Sequence, residues 1–168
     1  MVDSDDPAGR FWRFALAVYL PEENRRLFLR LQDAAGMDVP LVLFCLWCGA
    51  EGLRLSEASM RAAVAFSEGW RRGRVEPLRA LRRAWKDAPG PLPPALSEAA
   101  RQRVAEAEQA VERLQMDHLA DLRAGTPDTP DAARYNLAFC CRIAALVPDP
   151  DDLAAVARLA EAQVGQSP

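Results

Sequence analysis

The chain has 168 residues, of which 50% are apolar and 27% charged, the composition of an ordinary globular protein that can bury a core. The net charge of −3 is mild and argues neither for nor against a nucleic-acid partner. The longest uncharged stretch, Val39–Ala50, is too short to span a bilayer, and the first ten residues lack the basic and apolar regions of a signal peptide. We therefore expect a cytoplasmic protein with reduced cysteines.

Apolar residues recur at helical spacing along the whole chain, and no segment alternates as a β-strand would. A first helix is predicted from Pro7 to Leu20. Pro21 can open a second helix, which Gly36 closes. Asp38 is placed to cap a third helix, Val39–Ala50, whose lack of charge on every side marks it as a central, buried element.

Proline and glycine also predict the limits of the next two helices. Ser56 would cap a fourth helix that ends near Gly73. Pro77 lies in the first turn of a fifth helix, which the PGPLPP segment at residues 89–94 terminates. We expect this segment to be a tight corner within one bundle, with a domain sub-boundary at residues 89–94 as the alternative.

The C-terminal third contains the longest predicted helix and two more. The longest helix is predicted from Ser97 to Ala124, stopped by Gly125 and the TPDTP turn. Thr129 with Pro130 opens a seventh helix, Pro148 breaks it, and a short helix follows to about Val164. The predicted fold is a single all-α domain over residues 1–168, an orthogonal or irregular bundle of about seven or eight helices.

The fifth helix lies in a strongly basic segment. Between Trp70 and Asp87 there are seven basic and two acidic residues, so this segment carries about +5 and the rest of the chain about −8. Such charge segregation is an argument about partners rather than about the fold. Leu78, Leu81 and Trp85 share one helical face, which would dock on the bundle. The adjacent face carries what we call the cationic stripe: Arg79, Arg82, Arg83 and Lys86.

Three interpretations of the cationic stripe stay open. Its residues could pair with acids elsewhere in the bundle, bind an acidic protein surface or RNA, or bind a membrane surface. The leading hypothesis is a non-enzymatic interaction module that uses the stripe against an anionic partner. The alternative is an enzyme or carrier with an apolar pocket that brings Tyr19, His118 or Asn136 together. Homo-oligomerisation through the long helix is left open.

An acidic residue near the end of the second helix is unusual, because the charge of Asp33 opposes the helix dipole there. Such a residue usually has a compensating cation. Our hypothesis is that Asp33 or Gln32 contacts Arg79 or Arg82 and fixes how the basic helix docks. A local pair between Arg30 and Asp33 is the alternative.

Four cysteines and one histidine are the remaining candidates for chemistry. Cys45 and Cys48 form a C-x-x-C motif inside an apolar helix, without the strand that a redox motif needs before it. Cys140 and Cys141 are adjacent, so they point about 100° apart on a helix and are poor joint ligands. We predict buried cysteines, no metal and no cofactor. His118, on the apolar face of the long helix, is expected to be a semi-buried polar residue rather than a general base.

Three motifs follow one another in the N-terminal half: FWRFALAVY from Phe11, LQDAAGMDVPLVLFCLW from Leu31 and VEPLRALRRAWK from Val75. With the patterns FW-x-FAL, LQD-x-x-G-x-DV and PLR-x-LRR, they resemble a family of small proteobacterial proteins that is a domain of unknown function. The resemblance implies an intact bacterial protein and no known activity, so it assigns no catalytic residue. It places the basic helix within the shared pattern. Whether the protein is an enzyme is uncertain, and the lack of a catalytic motif argues against it.

Overall fold

A computed structural model describes residues 6–87, 90–91, 93–127 and 131–164. In these ranges the chain forms eight α-helices and a small antiparallel sheet, so the all-α bundle predicted from the sequence is confirmed. The helices are α1 (Pro7–Tyr19), α2 (Glu22–Ala35), α3 (Val39–Ala50), α4 (Glu57–Trp70), α5 (Glu76–Asp87), α6 (Pro94–Asp121), α7 (Ala132–Ala144) and α8 (Pro150–Val164). The sheet pairs β1 (Leu53–Leu55) with β2 (Gly125–Pro127).

The capping residues predicted from the sequence are confirmed at the second and third helices, and Ser56 caps α4 as predicted. Gly36 ends α2 with a φ of 67°, a left-handed conformation that a side chain would disfavour. The Asp38 carboxylate accepts a hydrogen bond from the Leu41 amide at 3.3 Å and so caps α3. In the described part of the chain, no helix combines the length and apolar character that crossing a membrane requires.

The predicted break between the fourth and fifth helices is wrong. Instead of ending near Gly73, the chain passes from α4 into α5 through a π-helical turn, Arg71–Val75. Pro77 has no N–H to donate to the carbonyl four residues earlier, so the regular α-helical bonding is interrupted there. Turns of the π type are rare and occur mostly as single turns within α-helices, as this one does. The Glu76 amide bonds to the Arg71 carbonyl, five residues back, which keeps the helix continuous through this turn.

Two further boundaries differ from the prediction by about one helical turn. The long helix begins at Pro94 and ends at Asp121, because a proline is tolerated in a first helical turn. The predicted opening of the seventh helix at Thr129 and Pro130 lies outside the described residues, as do parts of the corner at residues 89–94.

The centre of the fold is the contact between α3 and α7. Every side chain from Leu41 to Cys48 is buried, as the uncharged sequence predicted. A Cβ on Gly49 would lie 2.2 Å from the Ala133 Cα, so the two helices approach as closely as only glycine permits. All four cysteines are buried at or near this contact, which confirms their predicted burial.

The two-stranded sheet was not predicted, because three residues are too few to produce a visible alternation. Asn136 of α7, which is fully buried, holds the sheet in place through hydrogen bonds to β1. The Asn136 amide oxygen accepts from the Leu55 amide at 2.9 Å, and its nitrogen donates to the Leu53 carbonyl at 2.9 Å. The same nitrogen donates to the Cys45 carbonyl of α3 at 3.3 Å. Asn136 therefore joins β1 to the core and has a structural role.

Candidate binding cleft

The α5 helix is held against α6 by ion pairs. The Arg79 Nε and Nη2 atoms lie 2.9 Å from Glu108 and 2.6 Å from Glu112, respectively. The Arg82 Nε atom lies 2.7 Å from the second oxygen of Glu108. Arg82 follows Arg79 on α5 but pairs only with Glu108, which precedes Glu112 on α6. The two helices therefore run antiparallel. Two members of the cationic stripe therefore hold the fold together.

The charges in this cluster act on one another in a partly buried setting. Burial opposes the charged form of Glu108, but its bonds to Arg82 and Arg79 outweigh that effect and lower its pKa. Burial likewise opposes the charge of Arg79, yet Glu108 and Glu112 raise its pKa overall. Burial raises the pKa of Glu112, against the opposing effect of Arg79. Glu108, which has two cations as partners, is therefore the anchor of the cluster.

The other two members of the cationic stripe face solvent. Arg83 and Lys86 are exposed and form no ion pair with any residue that the structure describes. The predicted docking face is partly wrong, because Leu81 is 47% exposed. The α5 helix is rotated so that Arg79 and Arg82 face Glu108 and Glu112 of α6. The same rotation turns Leu81 away from α6.

The predicted contact between the second helix and the basic helix is absent. Asp33 is exposed, and its described contact is with the neighbouring Gln32, at 3.5 Å. Arg79 and Arg82 pair instead with Glu108 of α6, at 2.9 and 2.7 Å. The alternative is also wrong, because Arg30 pairs with Asp152 of α8 at 2.7 Å.

Glu108 and Glu112 were not singled out from the sequence, although a signal for them exists. They lie four residues apart, on one face of α6, and Arg79 and Arg82 lie three apart on one face of α5. Two such faces can pair once the helices are antiparallel. The corner between the helices, with its many prolines, would have suggested that arrangement.

A cleft of about 770 Å³ lies beside this ion-pair cluster. Residues of α5 and α2 form its two walls, because α5 packs on α6, α2 packs on α1, and α1 and α6 pack together between them; the start of α3 also contributes to the lining. Six arginines and three carboxylates line it, and Arg25, Arg101 and Arg113 pair with Glu22, Glu98 and Asp117, which do not line it. The charged residues are Arg25, Arg79, Arg82, Arg83, Arg101, Arg113, Asp33, Glu108 and Glu112.

The uncharged part of the lining is largely apolar. Trp12, Leu16, Leu43 and Met116 contribute to it from α1, α3 and α6, Leu20 from the end of α1 and Leu29 from α2. The Arg113 guanidinium lies 4.4 Å from the centre of the Trp12 ring and covers one face of it. The cleft therefore combines an apolar surface with a cationic rim.

The three residues expected in the pocket of an enzyme or carrier, Tyr19, His118 and Asn136, do not come together in this cleft. Tyr19 lines it, and burial, followed by the nearby charge of Glu112, raises the pKa of the phenol. His118 and Asn136 do not line it. The prediction of a semi-buried His118 is wrong: the ring is exposed and rests on Phe66, with the ring centres 4.1 Å apart. The long helix turns this position away from the core.

A buried polar network underlies the cleft at the start of α3. Besides capping the helix, Asp38 accepts a hydrogen bond from the Gln115 amide nitrogen at 2.6 Å, and that nitrogen lies 3.3 Å from the Ser67 hydroxyl. Burial raises the pKa of Asp38 to about 6, although both hydrogen bonds favour its charged form. Asp38 thus joins α3 to α6, and Gln115 continues the network to Ser67 of α4, whereas the sequence predicted only the role of Asp38 as a cap.

Residues 10–119 match the model of a protein family, which extends the resemblance noted in the N-terminal half almost to the end of α6. Every residue that lines the cleft, from Trp12 to Met116, lies within the matched range. No curated protein and no solved structure is detectably similar to the chain. By this match, which covers well over half of its residues, the chain belongs to the family described as "Protein of unknown function (DUF2390)".

Proposed function

We propose that the protein is a cytoplasmic, non-enzymatic interaction module that binds an anionic partner at the basic wall of the cleft. The observation that carries this proposal is the pair of exposed cations on α5, Arg83 and Lys86, which form no ion pair with the described residues and lie at a cleft whose lining includes Arg83. A local positive surface on a chain of net negative charge attracts anionic partners and orients their approach.

The ion pairs of α5 support this role indirectly. Because Arg79 and Arg82 are committed to Glu108 and Glu112, they hold the helix in place instead of contacting a partner. Arg83 and Lys86 are then presented on an anchored helix, so little conformational freedom of the backbone is lost on binding. Of the four stripe residues, we assign partner binding to Arg83 and Lys86.

An acidic protein surface fits the cleft better than RNA. Single-stranded RNA is usually bound by free aromatic faces, whereas Arg113 covers one face of Trp12. The aliphatic side chains of Leu20 and Leu29 offer apolar contacts of the kind found in protein interfaces.

Capture experiments with charge reversal test this function. Tagged wild-type protein and the Arg83→Glu/Lys86→Glu variant are used to capture partners from a lysate of the source cells, with and without ribonuclease. We expect one or more acidic proteins to be retained by the wild type, released by salt and lost with the variant. Identical capture by both proteins would contradict the proposal, and ribonuclease-sensitive capture would identify RNA as the partner.

A second candidate function is that of a carrier for a small apolar ligand. The cleft volume of about 770 Å³ lies within the range of about 300–1,000 Å³ that is usual for small-molecule sites. Tyr19 and Trp12 would then contact the ligand. Quenching of tryptophan fluorescence by dodecanoate, lost in a Leu16→Glu variant and retained in Arg83→Glu, would favour the carrier over the interaction module.

Homo-oligomerisation is a separate proposal that concerns α6. Leu96 and Leu114 on this helix are 59% and 55% exposed, so part of its apolar surface is available to a second copy. Sedimentation velocity over a hundred-fold range of concentration tests it. A single, concentration-independent monomer would reject it.

A further inference from the structure

We propose that the occupant of the cleft is an acidic amphipathic helix from a partner protein. It would lay its apolar face between α2 and α5 and place acidic residues on both flanks. The inference rests on the proposed function, because it names the partner class for the same site.

The length of the cleft is the first argument. Along α6 its lining runs from Arg101 to Met116, a distance of about 22 Å at 1.5 Å per residue. That length corresponds to about four turns of an α-helix. Divided by this length, the cleft volume of about 770 Å³ gives a mean cross-section of about 35 Å². This area is less than half the cross-section of a helix about 10 Å across. The cleft therefore has room for a row of anchoring side chains beneath a helix that lies along it.

The exposed leucines are the second argument. Leu20 and Leu29 are 62% and 40% exposed, so they are among the few large apolar side chains of the described chain that face solvent. Both line the cleft, Leu20 from the end of α1 and Leu29 from α2, together with Leu16 of α1. Helix-in-groove recognition uses apolar anchors at spacings of three and four residues, which such a surface can receive.

The placement of charge is the third argument. Arg83 stands on the α5 wall and Arg25 on the α2 wall, so cations face the cleft from both sides. Arg25 pairs with Glu22, but its side chain is still 45% exposed. An occupant with acidic residues on only one flank would leave one wall unmatched. On the α2 wall Asp33 lies eight residues beyond Arg25, about 12 Å along the helix, so acidic residues should be concentrated at the Arg25 end.

A labelled peptide of about 15 residues tests the inference, with leucines on one face and glutamates on both flanks. Its control has the same composition in an order that gives no apolar face. By fluorescence anisotropy we expect the wild type to bind the amphipathic peptide about ten-fold more tightly than the control peptide. The Leu29→Glu and Arg83→Glu variants should each weaken binding by roughly five-fold or more. The Arg103→Glu variant is the matched control, because Arg103 is 83% exposed on α6 and does not line the cleft.

The outcomes separate this inference from the proposed function. Equal binding of both peptides, or binding unaffected by Leu29→Glu, would overturn the helical occupant. In that case, if the Arg83→Glu/Lys86→Glu variant still failed to capture the lysate proteins that the wild type captures, the proposed interaction module would stand without the helical occupant. Stronger, Arg83-dependent binding of an oligouridylate of similar length, or of dodecanoate, would likewise replace the helix by RNA or by an anionic amphiphile. Leu29→Ala is the second variant if Leu29→Glu fails to fold, as judged by circular dichroism.

Discussion

Two helix pairs of this molecule are held together by different physics. At the α3–α7 contact, Gly49 lies against Ala133 and the surrounding side chains are apolar and buried. At the α5–α6 contact, two arginines reach two glutamates, and Leu81 of α5 is left half exposed. The first contact depends on shape and the removal of apolar surface from water, the second on charges held in register.

The difference has a consequence for function. A close-packed core tolerates little change and offers no surface to a partner. An ion-paired helix at the edge of a cleft can be fixed in place and still present cations to solvent. The α5–α6 pair is therefore the region where we expect binding, and α3–α7 the region that sets stability.

The largest effect is expected from a side chain at the α3–α7 contact. Replacing Gly49 by valine would push a Cβ into the backbone of Ala133, so the helices must separate, at a cost of about 3 kcal/mol or more. Gly69→Ala is the matched control, because nothing lies within 4 Å of its added Cβ, and it should stabilise the protein by roughly 0.5–1 kcal/mol. Urea unfolding measures both. Similar stabilities for the two variants would mean that the core is not packed as closely as described.

The next effect concerns the anchor of α5. Glu108→Gln removes the shared carboxylate, leaving Arg82 without its ion-pair partner and Arg79 with Glu112 alone, at a cost of about 2 kcal/mol. Amide hydrogen exchange should quicken in α5 and stay unchanged in α3. Glu98→Gln is the control, because Glu98 pairs with Arg101 at the surface, where little stability is at stake. Equal exchange rates in the two variants would contradict the anchoring role.

A smaller effect, dependent on pH, is expected from Asp38. Its pKa of about 6 in the folded protein lies above the value of about 4 expected for the unfolded chain, so the folded protein holds this proton more tightly. Its contribution to stability therefore falls as the pH rises from about 4 to 6, by on the order of 2 kcal/mol. The Asp38→Asn variant keeps a capping side chain but should lose this part of the pH dependence.

Unfolding free energies at pH 4 and pH 7 test this expectation. The difference between Asp38→Asn and the wild type should shift in favour of the variant as the pH rises. Asp33→Asn serves as the control, because its side chain is exposed. Parallel pH profiles for the wild type and Asp38→Asn would show that the Asp38 carboxyl is not desolvated.

The features predicted well from the sequence are those decided locally. The uncharged run of α3 has no polar face to present to water, and Gly36 and Asp38 act through their own backbone and its neighbours. The rotation of α5 depends instead on Glu108 and Glu112, some thirty residues away. The periodicity of α5 predicts an apolar docking face, but it cannot show that carboxylates on another helix hold the arginines.

The cleft escaped prediction for the same reason. Its lining comes from five helices, and Leu20, Leu29 and Arg83 meet around it only after α2 and α5 have docked on α1 and α6. The role of Gln115 could not be predicted either, since nothing in the sequence of a long helix indicates that one of its glutamines will be buried against Asp38. Asn136 was noted as a pocket residue, yet its partners are backbone groups of the unpredicted strand.

The most direct test of the account is a charge swap at the α5 wall. The Arg83→Glu variant and the wild type are titrated with the glutamate-flanked peptide and with its lysine-flanked counterpart at low and high salt. We predict that the wild type prefers the glutamate peptide, that Arg83→Glu reverses or abolishes this preference, and that salt weakens the preferred complexes. An unchanged preference in Arg83→Glu would contradict the claim that the α5 wall of the cleft recognises an anionic partner.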